Sequence, residues 1–234
     1  PYRGWSKLHT LTADLPGTVE DTYVLFSGHL DSWHYGVMDN GTANATQMEV
    51  ARILASQKET LKRGVKLAFW SGHSHARYGG STWFADNEFD DLATRCVCHV
   101  NIDSVGGKGA IILEEAPTMA ETYEYAKGIL KNAGYELDYR RVSRSSDQSF
   151  WGHGIPSCLT AVSEQSAEGS TQDKSIAALL GSGGKGGGLG WWWHTTEDTI
   201  DKIDPEFLKR DADIYLNLVL GLLTDDRLPF EPGA

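Results

Sequence analysis

Apolar and polar positions along the chain fall into two periods that alternate from end to end. Largely apolar runs at 23–27, 65–70 and 96–102 have the length of buried strands. Between the first two, 43–57 places Met48, Val50, Ile53 and Leu54 at the spacing of an amphipathic helix. Further strands are expected at 7–13, 110–113, 137–142 and 157–162. Two more helices are expected, at 117–133 and at 205–224. The first of these has Pro117 at its start and Gly134 just past its end. Strands alternating with helices predict a single α/β domain over residues 1–234. Its expected form is a three-layer sandwich with a mostly parallel, mixed central sheet and helices on both faces. No helix precedes the first strand, an abrupt opening that points to an upstream segment or a partner chain, or to a homo-oligomer.

Composition narrows the classes of function. The 234 residues are enough for a proper core, and at 40% hydrophobic content the chain has no 18-residue apolar run. A soluble domain that does not enter a membrane is expected. A net charge of −11 and a pI near 5.1 argue against nucleic acid or an anionic membrane as partner. Three cysteines, Cys96, Cys98 and Cys158, cannot all pair; reduced core thiols, and with them a cytoplasmic setting, are the expectation. Asn40-Gly-Thr42 and Asn44-Ala-Thr46 match the glycosylation sequon but read as chance matches, because Asn40 stands beside a candidate metal ligand. Residues 181–190, "GSGGKGGGLG", hold seven glycines in ten positions. Without a Gly-Lys-Ser/Thr or a preceding strand, they read as a flexible loop rather than a phosphate cradle.

The chemistry-bearing residues sit where strands end. His29 and Asp31 in "SGHLDSW" follow the strand at 23–27, Asp39 lies in "MDNGTANA" just before a helix, and Asp103 ends the strand in "VNIDSVGG". His194 follows three tryptophans in "WWWHTTEDTIDKID". Singly, each has an ordinary explanation: a surface His–Asp neighbour, a helix cap, a paired buried charge. Together, two imidazoles and two carboxylates at strand ends form a donor set suited to zinc. Asp31 is then the carboxylate that orients His29.

The pattern resembles the M28 family of zinc aminopeptidases and carboxypeptidases. In that family His-x-Asp-Ser, Gly-x-x-Asp-Asp/Asn-Gly, a strand-borne Glu-Glu, Asn-x-Asp and His-Thr-x-x-Asp-Thr follow one another in order. Here "HLDS", "GVMDNGTAN", "NIDS" and "HTTEDT" stand in the same order, and "SSDQSFWGHGIPS" matches the family's Ser-Asp…Phe…Gly-Ile-Pro segment. The resemblance implies one or two Zn2+ ions, or another divalent transition metal. Asp39 would bridge them, with His29 and Asp103 on one ion and His194 on the other. It also implies hydrolysis of an amide or peptide bond in a small substrate by metal-bound hydroxide.

One motif departs from the pattern. Where the family has Glu-Glu, this chain reads "FWSGHSHARYGGS", with no acidic residue between Lys66 and Asp86. Anchored on "FWSG", His73 stands at the base position; anchored on "GGS", His75 stands at the ligand position. The reading preferred here makes His73 the ligand that completes the second metal site and His75 the proton-transfer group, with the reverse assignment open. The alternative is a non-catalytic M28-like binding or scaffold domain. For substrate contacts the sequence offers Arg77, which shares a face with His73 if a helix begins there, and Arg144, Asp147, Tyr35 and Trp193.

Overall fold

The computed structural model describes residues 7–110, 116–118, 120–136, 139–141, 146–161, 165 and 189–232. Its axis is β2 (Tyr23–His29), every residue of which is buried. Val24 and Phe26 enter one core cluster and Tyr23 and Leu25 the other, as alternation along a strand covered on both faces requires. β2 pairs in parallel with β3 (Gly64–Trp70) on one side and with β4 (Cys96–Asp103) on the other. β4 pairs in parallel with β7 (Ser157–Ala161). The short strands β5 (Ala116–Thr118) and β6 (Tyr139–Arg141) pair in parallel with each other, and β1 (Leu11–Leu15) runs antiparallel to β3. The resulting sheet has the order β1-β3-β2-β4-β7-β5-β6. It is mixed and mostly parallel, as expected.

Helices α1 (Ala43–Ser56), α4 (Ala120–Asn132) and α6 (Pro205–Thr224) cover one face. α6 begins where its chemistry dictates: Pro205 occupies the first turn and Asp204 caps it by accepting the Glu206 and Phe207 N–H groups. Ile214, Leu218 and Leu222, one turn apart, bury its inner face. The other face takes α2 (Gly79–Asn87), α3 (Phe89–Arg95) and α5 (Ser149–Gly152), where Phe84 and Phe150 meet Trp70. Connections leaving β2 and β3 therefore run to opposite faces, and a crevice opens between their C-terminal ends. Among the described residues no helix is long and apolar enough to cross a membrane. Cys96, Cys98 and Cys158 are free and buried.

Two predicted elements shift. The first strand forms at Leu11–Leu15, because pairing of Leu11 with Phe69 through Leu15 with Val65 sets its place, not its own apolar pattern. Pro117 lies in β5 and the helix starts at Ala120; the φ that a proline ring imposes suits an extended segment as well as a first helical turn. Most of the strand expected at 110–113 and nearly all of the Gly-rich loop at 181–190 lie outside the described residues, as does Arg144.

Candidate metal centre

Three parallel strands deliver the centre to one edge of the sheet. His29 is the last residue of β2 and Asp103 the last of β4, while β3 ends at Trp70 and leads into the turn that carries His73 and His75. Asp39 lies at a kink, with non-helical backbone at Asp39 and Asn40, in the segment Val37–Thr42 that precedes α1; the Asp39–Asn40 peptide is cis. His194 arrives on the loop before α6.

Asp39 joins the two histidines. Its Oδ1 lies 2.9 Å from His29 Nε2 and its Oδ2 lies 2.8 Å from His194 Nε2, so one carboxylate faces two imidazoles from distant parts of the chain. Asp103 Oδ1 stands 3.4 Å from the same His29 nitrogen. His29 donates its Nδ1 proton to the Asp31 carbonyl oxygen at 2.7 Å, which leaves Nε2 with a lone pair in the neutral ring. That Nε2 is buried and has no aligned hydrogen-bond partner despite the two carboxylate oxygens around it. Burial alone would lower the His29 pKa, but Asp103 and Asp39 together raise it well above the ordinary value. The field at Nε2 thus favours a positive charge, which a proton or a metal ion supplies. Burial also opposes ionisation of Asp39, yet His194 and His29 hold its carboxyl far below the usual range. An orphaned imidazole nitrogen between two carboxylates fits a zinc-type donor set.

The surroundings are fixed by polar contacts that the sequence did not reveal. Asp198, buried within "HTTEDT", accepts the backbone N–H groups of Met38 and Asp39 at 2.8 and 3.0 Å. Burial, with help from the nearby Asp39 charge, raises its pKa despite those bonds. Asn40 spans the crevice, donating to the carbonyls of His29 and Ile102 and accepting from Ser104 N–H. It is buried, so its sequon has no room for a glycan. Ser104 and Ser146 hydroxyls hold Asp103 from both sides.

Several expected roles change. Asp31 orients His29 through its backbone carbonyl; its carboxylate instead accepts the N–H groups of His73 and Ser74 at 3.1 and 3.0 Å. Those bonds, working against burial, keep the Asp31 pKa low. The helix after the turn begins at Gly79, so Arg77 shares no helical face with His73 and lies over the Tyr78 ring. Asp147 is fully buried behind His73, out of reach of a substrate. His75 is 59% exposed, with Nδ1 3.6 Å from Asp31 Oδ2 and its ring 4.9 Å from that of Trp33. Trp193 stacks on His194 at 3.6 Å, and Tyr35 is exposed on the loop after β2.

His73 lies flat against His29, ring centroids 3.8 Å apart and planes within 11°. Ligand-capable atoms of His29, His73 and Asp103 all lie within 4.8 Å of one another. Stacked rings are separated by roughly 3.5 Å, whereas a zinc–imidazole bond of about 2.0–2.1 Å lies in the ring plane. The in-plane lone pairs of the two rings lie in near-parallel planes and would not converge on one ion while the rings remain stacked. His73 stands beside the first donor set rather than inside it.

Comparison with known proteins bears on the fold and the family. A probable glutamate carboxypeptidase of Zea mays is 30% identical over 112 residues, which are 46% of this chain and 16% of that protein. A zinc aminopeptidase from Bacillus subtilis superposes with a TM-score of 0.73 at 20% identity, covering 96% of this chain and 53% of the other. An aminopeptidase from Aneurinibacillus sp. strain AM-1 gives 0.75 at 22% identity, covering 96% and 50%. The chain thus spans about half the length of these structures and a smaller part of the curated relative. The model of peptidase family M28 matches residues 10–219, and the chain belongs to that family.

Proposed function

We propose that this chain is a metal-dependent hydrolase that cleaves an amide or peptide bond in a small substrate. The observation that supports it most is Asp39, whose two oxygens each face a histidine Nε2 at 2.9 and 2.8 Å. His29, Asp39 and Asp103 would hold one ion, and Asp39 with His194 a second. Zinc bound there would polarise the scissile carbonyl and make water acidic enough to attack at neutral pH. Asp31 shapes the His73–Ser74 turn through two backbone bonds. His73, not the exposed His75, is the imidazole held rigidly enough to take the proton of the attacking water. Trp33, whose ring lies 4.9 Å from that of His75 and 5.8 Å from that of His194, offers a flat apolar wall for the substrate.

The absence of a Glu-Glu pair favours a second reading, a family member that binds without turnover. Metal analysis of protein purified without chelator, joined to a chelation-sensitive screen on aminoacyl and N-acyl amide substrates, separates the two. Stoichiometric metal with turnover that chelator removes is expected. Metal without turnover favours the binding domain, and protein that neither carries nor rebinds metal sinks the centre itself.

A further inference from the structure

Asp147 is a buried carboxylate inside a site already rich in acid, and it holds no metal-facing position. Ser81 Oγ of α2 donates to its Oδ1 at 2.5 Å, and His73 Nδ1 faces its Oδ2 at 3.0 Å. A fully buried carboxyl prefers to be neutral. Burial does push its pKa up, but His73, then His29 and the Ser81 hydroxyl, hold it below the ordinary value, so the group stays ionised. An ionised carboxylate has only acceptors, so the proton on the His73 ring belongs at Nδ1. Nε2, on the opposite edge, keeps its lone pair.

The ring has little freedom to turn away. One face lies on His29, and the Tyr78 ring meets it edge-on at 4.9 Å and 70°. The backbone N–H of His73 is bound to Asp31 Oδ1 at 3.1 Å. Asp147 is itself anchored: it leads directly into α5, whose Phe150 is buried against Trp70 and Phe84. Carboxylate and imidazole thus come from two separately fixed segments.

We propose that Asp147 is a positioning residue that takes the Nδ1 proton of His73, so that Nε2 is presented as an acceptor to the His29–Asp103 cluster. The tautomer does not depend on the hydrolase reading above; its catalytic consequence rests on it.

Long-range nitrogen–proton correlation NMR of the whole chain tests it, with the His73 ring assigned by its loss in His73→Gln. Wild-type protein with a neutral ring, metal-loaded or treated with chelator, is expected to show Nδ1 protonated and Nε2 bare. Asp147→Ala should spread the proton over both nitrogens and lower turnover by about 10–100-fold, the usual effect of losing such a partner. A wild-type spectrum with Nε2 protonated overturns the proposal, and needs no variant to fold. An unchanged tautomer in Asp147→Ala overturns it too, even if hydrolysis is found. The expected tautomers in a protein without turnover leave the positioning role standing and remove the hydrolase reading.

Discussion

Asp211 charges against its surroundings, and the charge should be measurable in stability. The side chain is buried on the inner face of α6; Oδ2 accepts the Gly106 N–H at 2.8 Å and Oδ1 accepts Arg210 Nε at 2.8 Å. It thereby anchors the loop that follows Asp103, at a glycine with φ 76 whose Cβ would meet Leu208 at 2.9 Å. Burial raises its pKa from 3.8 to about 6, although Arg210 pulls the other way. A rise of roughly 2 units at about 1.4 kcal/mol each is on the order of 3 kcal/mol. The folded pKa is the higher one, so the fold favours the protonated form. Its contribution is complete below about pH 3.8 and is lost as pH rises through about 6. Asp211→Asn removes the charge and keeps an oxygen for Gly106. Urea unfolding of both proteins should show nearly equal stability at about pH 4 and a more stable variant at about pH 7, by up to ~3 kcal/mol. Taking the difference between the two proteins cancels the other titrating groups. The reasoning is refuted if the difference is the same at both pH values, or if the variant is the weaker at neutral pH.

Further outcomes follow from named contacts. Burial lowers His99 to about 3; the stability tied to its neutral ring is whole above about pH 6.5 and falls by up to ~1.4 kcal/mol per unit below it, a slope that His99→Gln should flatten in urea titrations. Asp39→Ala should strip metal from both positions and abolish any chelation-sensitive turnover, and full metal content by elemental analysis would count against the bridging role. Gly80→Ala places a Cβ 2.3 Å from the Ser71 carbonyl oxygen beneath the His73 turn. Despite alanine's better helix propensity it should lose about 1–3 kcal/mol in thermal unfolding, and a neutral result would show that the turn yields.

Much of the architecture was legible because its signals are local. β2, β3 and β4 are nearly continuous apolar runs, and α6 has a proline start, an aspartate cap and a clean apolar stripe. Such elements announce themselves within a few residues. β5 did not, and β1, expected at 7–13, formed at Leu11–Leu15, since a strand of marginal pattern is placed by its partner. The candidate ligands His29, Asp39, Asp103 and His194 were readable from motif order, and the structure brings Asp39 to both histidines and Asp103 to His29.

What the sequence by itself determined was the inventory: an alternating α/β chain, strand-end histidines and aspartates, and a Glu-Glu position filled by His-Ser-His. The division of labour among those residues was decided in three dimensions. Asp31 lies two residues from His29, yet its carboxylate serves a turn some forty residues away. Asp147 looked available to substrate and is instead sealed behind His73, while His75 and His73, two positions apart, end in solvent and against His29 respectively. Hydrogen-bond partners and burial depend on which segments meet across the sheet edge. Residues 74 positions apart in the chain, such as His73 and Asp147, become neighbours through packing alone.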